Sequence, residues 1–112
     1  GGGFVFRVPL GGKSIAAWVY EHREIANIPS VKDDPRWFGS VSGAYVPQSM
    51  ICAPVISQDG KRTLGVIQVL DKLDPSGRIV AFDKNDERLL LMMAAHARLF
   101  IEQSQDSLPR RE

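Results

Sequence analysis

The stretch SMICAPVISQDGKRTLGVIQVL, residues 49–70, limits the possible folds more than any other part of the chain. Two apolar runs of strand length flank SQDGKR, where Asp59-Gly60 suits the positive φ of a hairpin turn. Neither run alternates with polar residues, so each is apolar on both faces. Strands of that kind belong to a sheet covered on both sides, and the cover must come from other segments.

The C-terminal part offers one cover. A helix is expected from Asp83 to about Ser104, with Asp83 as N-cap for the Asp86 N–H and acidic residues at the positive end of the helix dipole. Its stretch LLLMMAAHARLFI is apolar almost all round. Leu90, Met93, Ala94, Ala97 and Ile101 form one stripe; Leu91, Met92, Ala95 and Leu99 form another. One stripe suffices for a sheet face, so the second asks for a partner helix, from this chain or another.

A second cover is IAAWVYEHRE, with Ser14 as N-cap and Ile15, Trp18, Val19 and His22 on one face. Phe4, Phe6 and Val8 alternate as in a strand closed by Pro9, and IANIP reads as a brief strand ending at Pro29. Ser30 to Gln48 shows little periodicity and much turn chemistry. Residues 1–3 are a flexible end and QDSLPRRE, residues 105–112, is a polar tail. The order strand, helix, strand, loop, hairpin, helix predicts an α+β fold, an antiparallel β-sheet with helices on its faces.

Several function classes find no support. Fourteen Lys and Arg against thirteen Asp and Glu give a net charge of +1, which points to neither nucleic acid nor membrane. The start GGGFVFRVPL lacks the regions of a signal peptide, and no apolar run reaches spanning length. A lone cysteine, Cys52, cannot build a disulfide framework and fits a reducing compartment, so the cytoplasm is expected. In mid-strand, Cys52 reads as buried and inert. His22 and His96 share no metal-ligand spacing, and no nucleophile elbow or P-loop appears. Trp18 and Trp37 read as core rather than stacking platforms.

Three blocks, in order, resemble a GAF domain. RVPLGGKSIAAWVYEHREIANIPSVKDDPRWF resembles the family's Arg-x-Pro stretch, glycine-rich turn, GIAGWV, NIPD and DPRF. SMICAPVISQDGKRTLGVIQVLDK resembles the family's following hairpin. DKLDPSGRIVAFDKNDE resembles the motif of its cyclic-nucleotide binders: Asn-Lys, a gap, Phe, three residues, Asp-Glu. The family's Asn is Asp71 here. The resemblance covers residues 4–104 and looks like the C-terminal two-thirds of such a domain, without its N-terminal helix and first strands.

What the resemblance implies is a regulatory, non-catalytic module that binds a small molecule and signals through its C-terminal helix to an effector domain in a longer parent protein. The pocket would be lined by Ile15, Ala16, Phe38, Tyr45, Ser49 and Gln68. Its lid would hold Asp71, Lys72, Phe82, Asp86 and Glu87, with Lys72 paired to Asp86 and Phe82 packed beneath. The same lid residues also suit a plain staple between a loop and a helix start. The implied ligand class includes cAMP and cGMP, yet GSVSGAYVPQ lacks the acidic residue and threonines that the family's nucleotide binders often carry there. A homodimer through the C-terminal helix is expected. The competing reading is a ligand-free dimerisation module with a collapsed pocket.

Overall fold

The computed structural model describes residues 3–7, 14–37 and 46–107. A four-stranded antiparallel sheet runs β1 (Gly3–Arg7), β4 (Thr63–Leu70), β3 (Met50–Ile56), β2 (Ala26–Ile28) in spatial order. The expected hairpin is β3–β4, with Cys52 opposite Gln68 and Ala53 opposite Ile67. Its turn has Gly60 at φ 74°, a conformation that costs glycine little.

Six of the seven residues of β3 are buried, as a strand apolar on both faces demands. Successive side chains point to opposite faces, so the sheet builds two cores. Met50 and Cys52 join Ile15, Val19, Ile28 and Val66 under the helix α1 (Ile15–His22). Ile51, Ala53 and Val55 join Ile67, Leu90 and Ala94 under the helix α2 (Lys84–Ser107). The architecture is α+β, helices on both faces of an antiparallel sheet.

Ser14 caps α1 as expected, its hydroxyl accepting the Ala17 N–H at 3.0 Å. The buried face differs from the expected one. It consists of Ile15, Ala16, Ala17 and Val19, while Trp18 is half-buried and His22 exposed. The two small alanines let the helix sit close to the sheet. The wide indole is left on the flank, where it stacks on His22 with ring centroids 4.3 Å apart. The helix stops before Glu24 because Arg23 turns left-handed at φ 58° and donates its N–H to the Val19 carbonyl.

On α2, Leu90 and Ala94 are buried, with Ala97 and Ile101 packed beside them. Met93, expected in that stripe, lies on its shoulder and is exposed. A helix on a flat sheet buries a narrow arc, and residues 90, 94, 97 and 101 fill it. Between β4 and α2, where the sequence suggests only a loop, a small hairpin forms from β5 (Lys72–Leu73) and β6 (Ile79–Val80). Asp74 ties its turn by accepting the N–H groups of Ser76 and Arg78, both at 2.9 Å.

Candidate functional site

Residues 71–87 wrap from the end of β4 to the first turn of α2, and four sets of bonds fix them. The first begins at Asp71, where the chain leaves β4 at φ 55°. This residue is buried, and its Oδ1 accepts the N–H groups of Gln48 at 2.7 Å and Ser49 at 3.1 Å. Its own N–H donates to the Ser49 carbonyl at 2.8 Å. Asp tolerates positive φ better than most residues, and its carboxylate here organises the backbone entering β3. Asp71 therefore anchors the start of this segment from beneath rather than sharing in its ion pair.

Ser49 makes the second set. It is buried just before β3, and its hydroxyl donates to the Val80 carbonyl at 2.9 Å, so it clamps β6 to the sheet.

The third set is the expected pair, with an addition. Lys72 Nζ lies 2.5 Å from Asp86 Oδ2 and 3.2 Å from Asp83 Oδ2. Asp86 and Asp83 also cap each other. The Asp86 N–H donates to Asp83 Oδ1 at 2.9 Å, and the Asp83 N–H donates to Asp86 Oδ2 at 2.8 Å. This is a capping box with aspartate in the place of the usual glutamate. One carboxylate oxygen of Asp86 thus serves both Lys72 and the helix cap. Its hydrogen bond raises the Lys72 pKa. The Asp86 N–H, followed by Lys72, lowers that of Asp83.

The fourth set centres on Asn27 of β2, which sequence reasoning missed. Its Nδ2 donates to the Phe82 carbonyl at 3.0 Å and to Glu87 Oε2 at 2.8 Å. Phe82 is half-buried against the α2-side core. The signal was the polar residue inside IANIP, where a brief strand has little reason to carry an amide.

Of the expected pocket lining, Ile15 and Ala16 are buried in the α1-side core, and Gln68 of β4 hydrogen-bonds to Cys52. Phe38 and Tyr45 lie outside the described residues. Trp18 and Trp37 are half-buried and pack at the edge of the α1-side core, and Trp18 also stacks on His22. Burial pushes the Cys52 thiol up to about 12, which makes it inert. Among the described residues there is no group of three or more His, Cys, Asp or Glu that could hold a metal.

A family model described as the GAF domain matches residues 2–101. The chain belongs to the GAF family. That family's domain is a regulatory and sensory small-molecule-binding fold. Over 96 residues this GAF chain is 32% identical to dual 3′,5′-cyclic-AMP and -GMP phosphodiesterase 11A of Takifugu rubripes, covering 84% of the chain and 10% of that protein. A solved GAF-domain structure is 31% identical with a TM-score of 0.58, covering 78% of this chain and 44% of that one. The chain therefore spans about a tenth of the curated relative and less than half of the solved domain. Free methionine-R-sulfoxide reductase from Neisseria meningitidis, solved with its substrate, has a TM-score of 0.69 at 18% identity, covering 96% and 70%. That likeness concerns the fold alone. No helix among the described residues is long and apolar enough to cross a membrane.

Proposed function

We propose that this chain is the sensing part of a regulatory, non-catalytic GAF domain. A small molecule binds on the α1 face of the sheet, the lid segment 71–87, whose Phe82 packs on the α2 side, responds to it from the sheet's end, and α2 carries the state of that segment to an effector domain of a longer cytoplasmic protein. The observation that carries this reading is the double use of Asp86. Its Oδ2 holds both the lid lysine Lys72, at 2.5 Å, and the N–H of the α2 cap residue Asp83, at 2.8 Å. Moving the lid therefore changes the start of the helix. A ligand that favours one lid position shifts the helix by its differential affinity for the two states. The ligand class we propose is a cyclic nucleotide, cAMP or cGMP, and the resemblance to a dual-specificity cyclic-nucleotide phosphodiesterase supports it.

Thermal shift with cAMP, cGMP and a panel of small metabolites tests the reading. A ligand at 100 times its dissociation constant stabilises by about 2.7 kcal/mol. Lys72→Ala should leave the ligand-free melting temperature nearly unchanged, because ion pairs at the surface contribute little, and should remove the ligand-induced shift. Equal shifts in wild type and variant would reduce the lid to a staple.

A second reading is an interaction module whose α1-side pocket is collapsed and which acts only through α2. The exposure of Leu91, Met92 and Leu99 favours it. A dimer that responds to no ligand would select it.

A further inference from the structure

We propose that Arg36 is an anion-recognising residue of the α1 face, offering the outer edge of its guanidinium to a singly charged phosphate or carboxylate on the ligand. The proposal rests on the reading of the α1 face as the ligand side.

The turn Asp34-Pro35-Arg36 holds this side chain in one orientation. Asp34 Oδ1 accepts both the backbone N–H of Arg36 at 2.8 Å and its Nε–H at 2.9 Å, while Oδ2 accepts from Nη2 at 2.8 Å. The carboxylate thus occupies one two-donor edge of the fork, the one formed by Nε and Nη2. Arg36 Cζ also lies 4.4 Å from the centre of the Trp18 ring, so the indole takes one face. Among the described residues, Nη1 and the second N–H of Nη2 have no acceptor. Those two donors form the second two-donor edge, whose spacing matches the two oxygens of a carboxylate or phosphate.

The guanidinium belongs to the α1 side of the sheet. Trp18 packs on the core that contains Cys52, and the Cys52 thiol feels the Arg36 charge. Gln68 stands opposite Cys52 on β4, on the same side of the sheet.

Closing the turn does not require so long a side chain, because the backbone N–H of Arg36 already caps Asp34. What the side chain adds is a rigid fork, with a side-chain exposure of 27%, that costs a ligand little ordering entropy. Asp34 also sets the ligand charge. The pair is neutral overall, so one negative charge on the ligand gains two charge-assisted hydrogen bonds, while a second would meet the aspartate.

The test follows the side-chain ¹⁵N signals of Arg36, assigned by comparison with Arg36→Lys, during titration with cAMP, cGMP, dimethyl phosphate and benzoate. Adenosine and guanosine are the uncharged controls. At least one anion should move the Arg36 signals saturably, and the nucleosides should not. Arg36→Gln should weaken that anion by about tenfold or more, the loss expected for a charge-assisted pair. If that variant does not fold, the double change Asp34→Asn with Arg36→Gln removes both charges together and gives the same readout. Dimethyl phosphate or benzoate moving Arg36 while the cyclic nucleotides do not bind at all would uphold the proposal and remove the cyclic-nucleotide reading. Cyclic nucleotides that bind without touching Arg36, or no anion moving it at all, would overturn the proposal.

Discussion

Cys52 sits at the middle of β3, fully buried, opposite Gln68. Desolvation pushes its thiol up to about 12, and the hydrogen bond from Gln68 only partly opposes this. An ordinary thiol titrates at 9.0, so the unfolded chain ionises first as pH rises. The contribution to stability is therefore full below pH 9.0 and falls as pH climbs from there toward about 12. Native protein at pH 8 should resist a thiol-specific reagent and react stoichiometrically once unfolded by denaturant. Rapid labelling of the native chain would place Cys52 at an accessible surface. This much was legible in the sequence, since a cysteine inside MICAPV has apolar neighbours on both sides. Arg36 was not legible: nothing in DDPR says that the aspartate grips the arginine two residues on, or that Trp18, from another element, lies beneath it.

At the level of elements, start signals carried well and cross-chain bonds did not. Ser14 and Asp83 act as caps because an N-cap bonds within three residues, a distance the sequence displays directly. The hairpin β3–β4 follows equally from local turn chemistry. The pairing of β5 with β6 depends on how the chain curls after Asp71. Asn27 is the clearest case, because its two partners lie 55 and 60 residues away. Its amide joins β2 to both Phe82, just before α2, and Glu87 in the first turn of α2. Asn27→Ala should destabilise by about 2 kcal/mol, since it strands a part-buried carbonyl and removes a hydrogen bond to a carboxylate. Urea titration with an unchanged slope measures this. Asn27→Asp should be worse than Asn27→Ala, because it sets a carboxylate against Glu87 and against a carbonyl. If Asp is tolerated as well as Ala, the two contacts do not hold the lid.

Among the described residues of the whole molecule, an apolar strip on α2 stands without cover. Leu90 on α2 is 3% exposed, whereas Leu91, Met92, Leu99 and Phe100 are 47, 60, 46 and 73% exposed. The first three of these belong to the second stripe expected from the sequence; Phe100 extends it. Beside the strip runs a groove of about 520 Å³ between α2 and the end of β3, walled by Ile25, Ile56, Leu91 and Ala95 with Arg23 and Arg98 at its edges. We propose that this strip is an interface, the common role of contiguous apolar patches on protein surfaces. The sheet cannot cover it, because the sheet already holds the opposite side of the helix. A second copy can, since a two-fold axis lets each helix lay its strip against the other and present Leu91 and Leu99 to its mate. Changing Leu91 and Leu99 together to Lys should therefore convert a dimer to a monomer, and the change should cost little folding stability because both side chains are about half exposed in the single chain. Sedimentation of wild type and variant at tens of micromolar decides it. A well-folded wild-type monomer at that concentration sinks the dimer, and a variant that stays dimeric moves the interface off α2.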